Sequence, residues 1–222
     1  MSKPRIALVG SAGHARVALD AARCQDRYEV VGFLDSYAQA GTPVAGLRVL
    51  GRPDQIDALA VEHRLDGFFL GISDNCTRAA VCEKIRAMCP GLELVSLIHP
   101  ASTVARDVTP GAGTLILAGA IVNTGSTVGV NCIINTRSSL DHDSEMMPYS
   151  SILPGVTTGG DVVIGEYSCI CLGANIGHKV KIGEHTVVGA GSVVLSDLPP
   201  YSLVYGVPAR VARSRKAGER HF

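Results

Sequence analysis

The sequence predicts a small α/β domain over residues 1–100 followed by a parallel β-helix of hexapeptide repeats over residues 101–222. Three observations predict it. Strand-like and helix-like segments alternate through the first hundred residues, the pattern of a parallel sheet flanked by helices. His99-Pro100 closes that stretch, because the residue before proline is held extended and the ring cannot continue a ladder. From Ile116 onward a large aliphatic residue returns at every sixth position.

The elements follow in order. Residues 5–9 form a short apolar run ended by Gly10, and residues 15–23 have helical spacing. Residues 29–34 make a second strand that stops at Asp35. Residues 53–65 read as a helix with proline in its first turn. Residues 67–72 make a third strand, 77–89 a helix with Val81, Ile85 and Met88 on one face, and 92–98 a fourth strand. Beyond Pro100 the period changes. Stepping by six from Ile116 to Val194 gives fourteen positions, of which only Thr158 is not large and aliphatic. Four places after most of them comes a small or β-branched residue, such as Ala120, Ser126, Ser144 or Val162. A period of six fits neither a helix nor one long strand, but it fits a short strand plus a turn. Three such units close a triangular coil with the aliphatic side chains inside, and coils stack by strand hydrogen bonds at about 4.8 Å. The run from Val104 to Val194 corresponds to about five coils.

Composition narrows the functions. Lys plus Arg equals Asp plus Glu at 20 each, so no net field favours nucleic acid or an anionic membrane. No apolar run is long enough for a transmembrane span, and MSKPRIALVG is too short in apolar residues for a signal peptide. Seven cysteines with no CxxC pair read as reduced thiols, which predicts a cytoplasmic location without a disulfide frame or a zinc site.

Two constellations carry chemistry. Gly10-Ser11-Ala12-Gly13 follows a strand and precedes a helix, where backbone N–H groups meet phosphate. Asp35, ending the second strand, stands where an acid meets a ribose in dinucleotide folds. An NAD site would need a second α/β half, and a β-helix follows instead. The other constellation is Asp141-His142-Asp143. Leu140 is the inward residue of its hexad, so His142 falls in an outward turn between two carboxylates. A neutral imidazole accepts a proton near neutral pH, and an adjacent carboxylate fixes its tautomer. Ser144 points with the small inner residues, which leaves no activated nucleophile beside His142 and favours direct transfer.

These residues resemble the bacterial acetyltransferases that join a Rossmann-like domain to a left-handed β-helix, acting on nucleotide-linked amino sugars or on sialic acid. The resemblance rests on Gly10-Ser-Ala-Gly-His14-Ala-Arg, Phe33-Leu-Asp35, Asp74-Asn75 with Arg78, Asn135-Thr-Arg, Asp141-His142-Asp143, Pro154-Gly155, and the closing Pro200-Tyr-Ser-Leu-Val-Tyr-Gly206-Val-Pro208-Ala-Arg210. It implies acetyl-CoA as co-substrate, no metal, and a homotrimer with the coenzyme in grooves between neighbouring β-helices. It implies His142 as general base and Asp143 as its partner. Gly13, His14, Asp35, Ser73, Asp74, Asn75 and Asn135 would border the nucleotide-sugar, probed first as a 4-amino-4,6-dideoxy sugar. Ser151, Gly160, Gly173 and Ala190 would border the coenzyme, with a backbone N–H near Gly160 as oxyanion partner. Two positions depart from the family pattern: Ser151 replaces a histidine, and Ser73 stands where glycine is common.

Rival readings remain. The acceptor could be a sialic acid hydroxyl, or the chain could sense a nucleotide-sugar without chemistry. Hexapeptide β-helices also include zinc carbonic anhydrases. Here His178 lies two coils after His142 in the same column, about 9.5 Å away by coil spacing. The third histidine of that family is replaced by Gly183, so His178 and His185 are expected to be ordinary surface or interface residues. The basic tail from Arg210 to Arg220 reads as a solvated end.

Overall fold

The computed structural model describes residues 2–220, which cluster into two compact units. Among these, one comprises residues 2–73 and 77–99, the other 74–76 and 100–220.

In the first unit β1 (Arg5–Val9), α1 (Gly13–Gln25), β2 (Glu29–Leu34), β3 (Pro43–Val44), β4 (Leu47–Gly51), α2 (Ile56–His63), β5 (Gly67–Leu70), α3 (Asn75–Met88, of which Asn75 and Cys76 are counted with the second unit) and β6 (Glu93–Leu94) follow in order. The sheet runs β3-β4-β2-β1-β5-β6. All pairs are parallel except the β3-β4 hairpin. Burial on both faces explains the continuous apolar runs: Ile6, Ala7, Leu8 and Val9 in β1 and Phe68, Phe69 and Leu70 in β5 are all enclosed. Three sequence expectations shift. The hairpin of β3 and β4 was not expected at all. Residues 53–55 wind as a 3₁₀ turn before α2 begins at Ile56. The expected strand over 92–98 divides into Glu93–Leu94 and Leu97–Ile98.

The second unit is the left-handed parallel β-helix. Two-residue strands recur every six residues from Leu115–Ile116 to Val193–Val194 and pair in parallel with the strand eighteen residues on, as Ile121↔Ser139 and Glu145↔Val163 show. All fourteen hexad positions point inward and are buried, Thr158 included. The turns share one backbone feature. A residue with φ near +60° recurs every six positions, as at Gly125, Asn131, Arg137, Asp143, Tyr149, Gly155, Asp161 and Tyr167. Glycine is free to adopt that conformation, whereas the other residues do so at a cost that stacking and hydrogen bonds must offset. At one corner Tyr149, Tyr167, His185 and Tyr201 stack ring on ring, with centroids 5.4, 4.6 and 5.0 Å apart. A final antiparallel hairpin, Ser202–Gly206 with Ala209–Ser214, extends one ladder. Within the tail Arg215 is buried rather than solvated, donating to the carbonyls of Glu219 and Arg220. Among the described residues no helix is long and apolar enough to cross a membrane.

Candidate active site

In the first unit a pocket of about 180 Å³ opens beside the C-terminal ends of β1 and β2, lined by Gly10, Leu34, Asp35, Tyr37, Pro53, Ile72 and Thr77 among others. Gly10 has φ +96°, and a Cβ there would stand 3.0 Å from the Gly71 carbonyl oxygen, so only glycine makes this turn without strain. Asp35 holds the pocket's rim together. Its Oδ2 accepts from Ser11 Oγ (2.6 Å), and its Oδ1 accepts from the N–H groups of Tyr37 (2.8 Å) and Ala38 (3.0 Å). Burial pushes its carboxyl up, but the Ser11 hydroxyl and these backbone donors outweigh it, and the group titrates below its ordinary value. Asp35 is therefore an anion that joins the two loops before any ligand arrives.

His14 stands at the start of α1. Burial first, and the Arg78 guanidinium second, lower its pKa to about 4, and its Nε2 is enclosed without a hydrogen-bond partner. Arg78 is itself buried and donates to the carbonyls of Ile72 and Ser73. Ser73 is thus held through its backbone. Gly13 is exposed beside Arg16, Val17 and Asp20.

In the β-helix the turn after Leu140 carries the other constellation. His142 Nδ1 is 2.8 Å from Asp143 Oδ2, and both side chains are about half exposed. The carboxylate can only accept, so Nδ1 carries the hydrogen and the neutral ring leaves Nε2 bare. The Asp143 hydrogen bond, aided by the charges of Asp141, Asp143 and Asp161, raises the His142 pKa above its ordinary value. Asp143 has φ +55°, the corner conformation that brings its carboxylate back to the preceding ring. Asp141 fixes the turn from the other side: its Oδ1 accepts from Asn123 Nδ2 (2.6 Å) and from the His142 N–H (2.8 Å).

Thr158, the one exception in the hexad column, explains itself here. The Asp141 N–H donates to Thr158 Oγ1 (2.9 Å), and of the two expected partners in this register only Ser139↔Thr157 pairs. A hydroxyl thus replaces one ladder bond directly beneath the histidine turn. Ser144 is buried, with its hydroxyl accepting from the Val162 N–H (3.1 Å) and directed at the carbonyls of His142 and Gly159. It is framework, as the hexad pattern implied.

Gly159-Gly160 is the next layer. Neither residue has a left-handed φ; what they supply is room. A Cβ on Gly160 would lie 2.5 Å from His142 Nε2, and one on Gly159 would lie 2.8 Å from His178 Cγ. One expectation is corrected at this point. The Gly160 N–H is not a free oxyanion donor, because it donates to His178 Nδ1 at 3.0 Å. His178 is exposed, as expected of a surface residue, and this bond ties its ring into the turn below His142.

Asn75, expected beside the sugar, has its amide committed elsewhere. Its Nδ2 donates to the carbonyls of Tyr167 (3.1 Å) and Ser168 (3.0 Å), and its Oδ1 accepts from Ser151 Oγ (2.6 Å). Both Asn75 and Ser151 are fully enclosed, so these two side chains bind each other rather than facing solvent. Asp74 adjoins them in sequence. Asn135 is half-buried on the turn after Ile134, with its Oδ1 accepting from the Thr136 N–H. Gly173 (φ +63°) and Ala190 are exposed at another corner of the coil. Among the described residues one group has metal-ligand atoms within 4.8 Å of one another, Asp20, Cys24 and His99, and it contains neither His142 nor His178.

A groove of about 330 Å³ runs over the face that these corners flank, lined by Asp141, Thr157, Thr158, Gly159, Asn175, Ile176, His178, Val193 and Leu195 among others. A hexapeptide β-helix with an outward His–carboxylate pair at the edge of such a groove defines an acyltransferase of the hexapeptide class. Comparison with known proteins specifies it further. Residues 5–85 match the PglD N-terminal domain family. The chain is 30% identical over 183 residues to GDP-perosamine N-acetyltransferase of Escherichia coli O157:H7, covering 82% of this chain and 72% of that one. The chain belongs to this family of hexapeptide sugar acetyltransferases.

Solved structures agree. The acetyltransferase domain of PglB from Neisseria gonorrhoeae FA1090, in complex with acetyl coenzyme A, is 31% identical with a TM-score of 0.87, over 95% of this chain and 100% of that one. A histidine-to-asparagine variant of perosamine N-acetyltransferase from Caulobacter crescentus, in complex with CoA and GDP-perosamine, is 32% identical with a TM-score of 0.88, over 96% and 99%.

Proposed function

We propose that the protein transfers the acetyl group of acetyl-CoA to the amino group of a nucleotide-linked sugar, directly and without an acyl-enzyme. The observation that carries this is the His142 ring, held by Asp143 with its Nε2 bare, in the turn whose Asp141 lines an open groove. In the reaction the amine attacks the thioester carbon, and His142 Nε2 takes the proton that the nitrogen loses. The tetrahedral intermediate then collapses, the C–S bond breaks, and the protonated His142 returns its proton to the coenzyme thiolate. Asp143 stabilises the imidazolium in between. The raised His142 pKa suits a group that must hold a proton between two steps.

The coenzyme would lie along the grooved face, between the corner of His142 and Gly160 and the corner of Gly173 and Ala190. Ser151, being enclosed, would act only through Asn75. The pocket of Gly10 and Asp35 would take part of the nucleotide, with Gly13, His14 and the Ser73-Asp74 backbone near the sugar and Asn135 by the acceptor amine. The unpartnered His14 Nε2 supports a polar ligand there. Residues 1–100 would then serve the nucleotide-sugar and 101–222 the acetyl transfer. The complexes of the relatives contain CoA and GDP-perosamine, which makes GDP-linked 4-amino-4,6-dideoxy sugars the first acceptors to try. A homotrimer in the cytoplasm, where acetyl-CoA is available, completes the reading.

The test is product analysis with acetyl-CoA and a panel of GDP-, UDP- and dTDP-linked 4-amino-6-deoxy sugars, with free sialic acid as the hydroxyl acceptor. An N-acetyl product from one sugar supports the proposal. Turnover of sialic acid alone, or no turnover with measurable nucleotide-sugar binding, refutes it. His142→Ala should lower kcat by about 10²–10⁴ with little change in the KM for acetyl-CoA.

A further inference from the structure

We propose that His178 is a second catalytic residue, the hydrogen-bond donor to the thioester carbonyl oxygen as that oxygen becomes an oxyanion. The inference rests on the acetyl-transfer reading above and adds to it the group that receives the developing negative charge.

The tautomer carries the argument. A backbone N–H can only donate, so the bond from the Gly160 N–H to His178 Nδ1 (3.0 Å) requires Nδ1 to be bare. The neutral ring must then carry its hydrogen on Nε2. His142 is fixed the opposite way, with Nδ1–H turned to Asp143 and Nε2 bare. One column of turns thus offers a proton acceptor on one coil and a neutral hydrogen-bond donor two coils further on. Both rings approach through the space left by Gly159 and Gly160, where any Cβ would collide with them.

The neighbouring donors support the same assignment. Four backbone donors of this turn column are already engaged: Gly159 N to Ile176 O, Asp161 N to His142 O, Gly177 N to Val194 O and Lys179 N to Gly160 O. Gly160 N is taken by His178 itself, and Asn175 Nδ2 donates to the Gly173 carbonyl (3.2 Å). His178 is exposed and lines the groove. In the step, the amine lone pair forms the C–N bond and the carbonyl π pair moves to oxygen, where His178 Nε2–H holds it. The pair returns as C–S breaks, and His178 keeps its own proton throughout.

The experiment compares wild type, His178→Phe and His178→Gln with whichever nucleotide-amino-sugar the wild type acetylates. Phenylalanine keeps a ring over Gly159 but has no donor. Glutamine can accept the Gly160 N–H through Oε1 and donate through Nε2. Removing one oxyanion donor should lower kcat about 10²–10³-fold in His178→Phe, with the KM for acetyl-CoA within about threefold of wild type. His178→Gln should recover at least about tenfold of that loss. The acid limb of kcat/KM should persist in His178→Phe and lose its His142 contribution in His142→Ala. Wild-type kcat in His178→Phe overturns the proposal, and so does a glutamine variant as slow as the phenylalanine one. A wild type that acetylates no amino sugar removes the acetyl-transfer reading, and this proposal with it.

Discussion

Gly160→Ala should separate catalysis from folding. The position lies under the His142 ring, and the added Cβ would stand 2.5 Å from Nε2 and 2.9 Å from Nδ1. Its three nearest neighbours are all ring atoms of one half-exposed side chain, which can swing into solvent without moving backbone. Gly160 has no left-handed φ, so alanine fits its backbone, and the lower entropy of the unfolded chain should contribute about 0.4–1 kcal/mol of stability. Against this stands the loss of an exposed His142–Asp143 hydrogen bond. Thermal unfolding should therefore shift by no more than about 4 °C in either direction. Activity should respond differently, because the displaced ring no longer offers Nε2 to the groove. A fall in kcat of about 10²–10⁴ is expected, approaching that of His142→Ala. Calorimetry and steady-state rates on the same preparation check both halves. Wild-type turnover in Gly160→Ala would show that the ring position over Gly160 is not the productive one. A large drop in melting temperature would show that the turn, not the ring, had yielded.

Gly159→Ala should behave in the opposite way: its Cβ would meet the backbone nitrogen of His178 at 2.9 Å, so melting temperature should fall along with activity. Thr158→Val restores the aliphatic hexad yet should destabilise the chain by about 0.5–1.5 kcal/mol in denaturant titration, because the half-buried Asp141 N–H loses its acceptor. His14 is lowered from 6.5 to about 4, so the unfolded chain binds the extra proton between those values. Stability should be complete above about pH 6.5 and fall by about 3 kcal/mol as pH drops towards 4, and His14→Gln should flatten that slope in urea titrations. A mass measurement in solution should give a trimer with contacts along residues 110–198, and a fully active monomer at nanomolar concentration would contradict it.

Which parts of this molecule could be read from its sequence follows from what constrains each position. The β-helix was legible because every coil must bury one aliphatic side chain per face, so Ile116, Val122 and their successors had little freedom. The β3-β4 hairpin was not, because Pro43–Val44 and Leu47–Gly51 are short and only half-buried at the sheet edge. His142 and Asp143 are neighbours in the chain, so their pairing could be anticipated. Asn75 and Ser151 are 76 residues apart, and nothing local in either announces the hydrogen bond that encloses both. Thr158 did leave a signal, a lone polar residue in an aliphatic column, and its meaning lay one coil back at Asp141.

His178 shows why the rest of the site was harder. Inward positions of a coil are selected for volume, and the corners need only a backbone that can turn. Along the corner that carries His142 the residues with left-handed φ are Gly125, Asp143, Asp161 and Lys179, three residue types on one repeated geometry. Their predecessors in the chain, Thr124, His142, Gly160 and His178, are equally varied. The repeat therefore fixes where a corner side chain stands and leaves open what it is. Function in this fold is written in those free positions, and a corner residue acquires its meaning from its neighbours eighteen residues away. Gly160 has no side chain, yet it makes space for one histidine and sets the tautomer of another. A period of six reveals the column, but only the hydrogen bond between adjacent coils tells which nitrogen of His178 carries the proton.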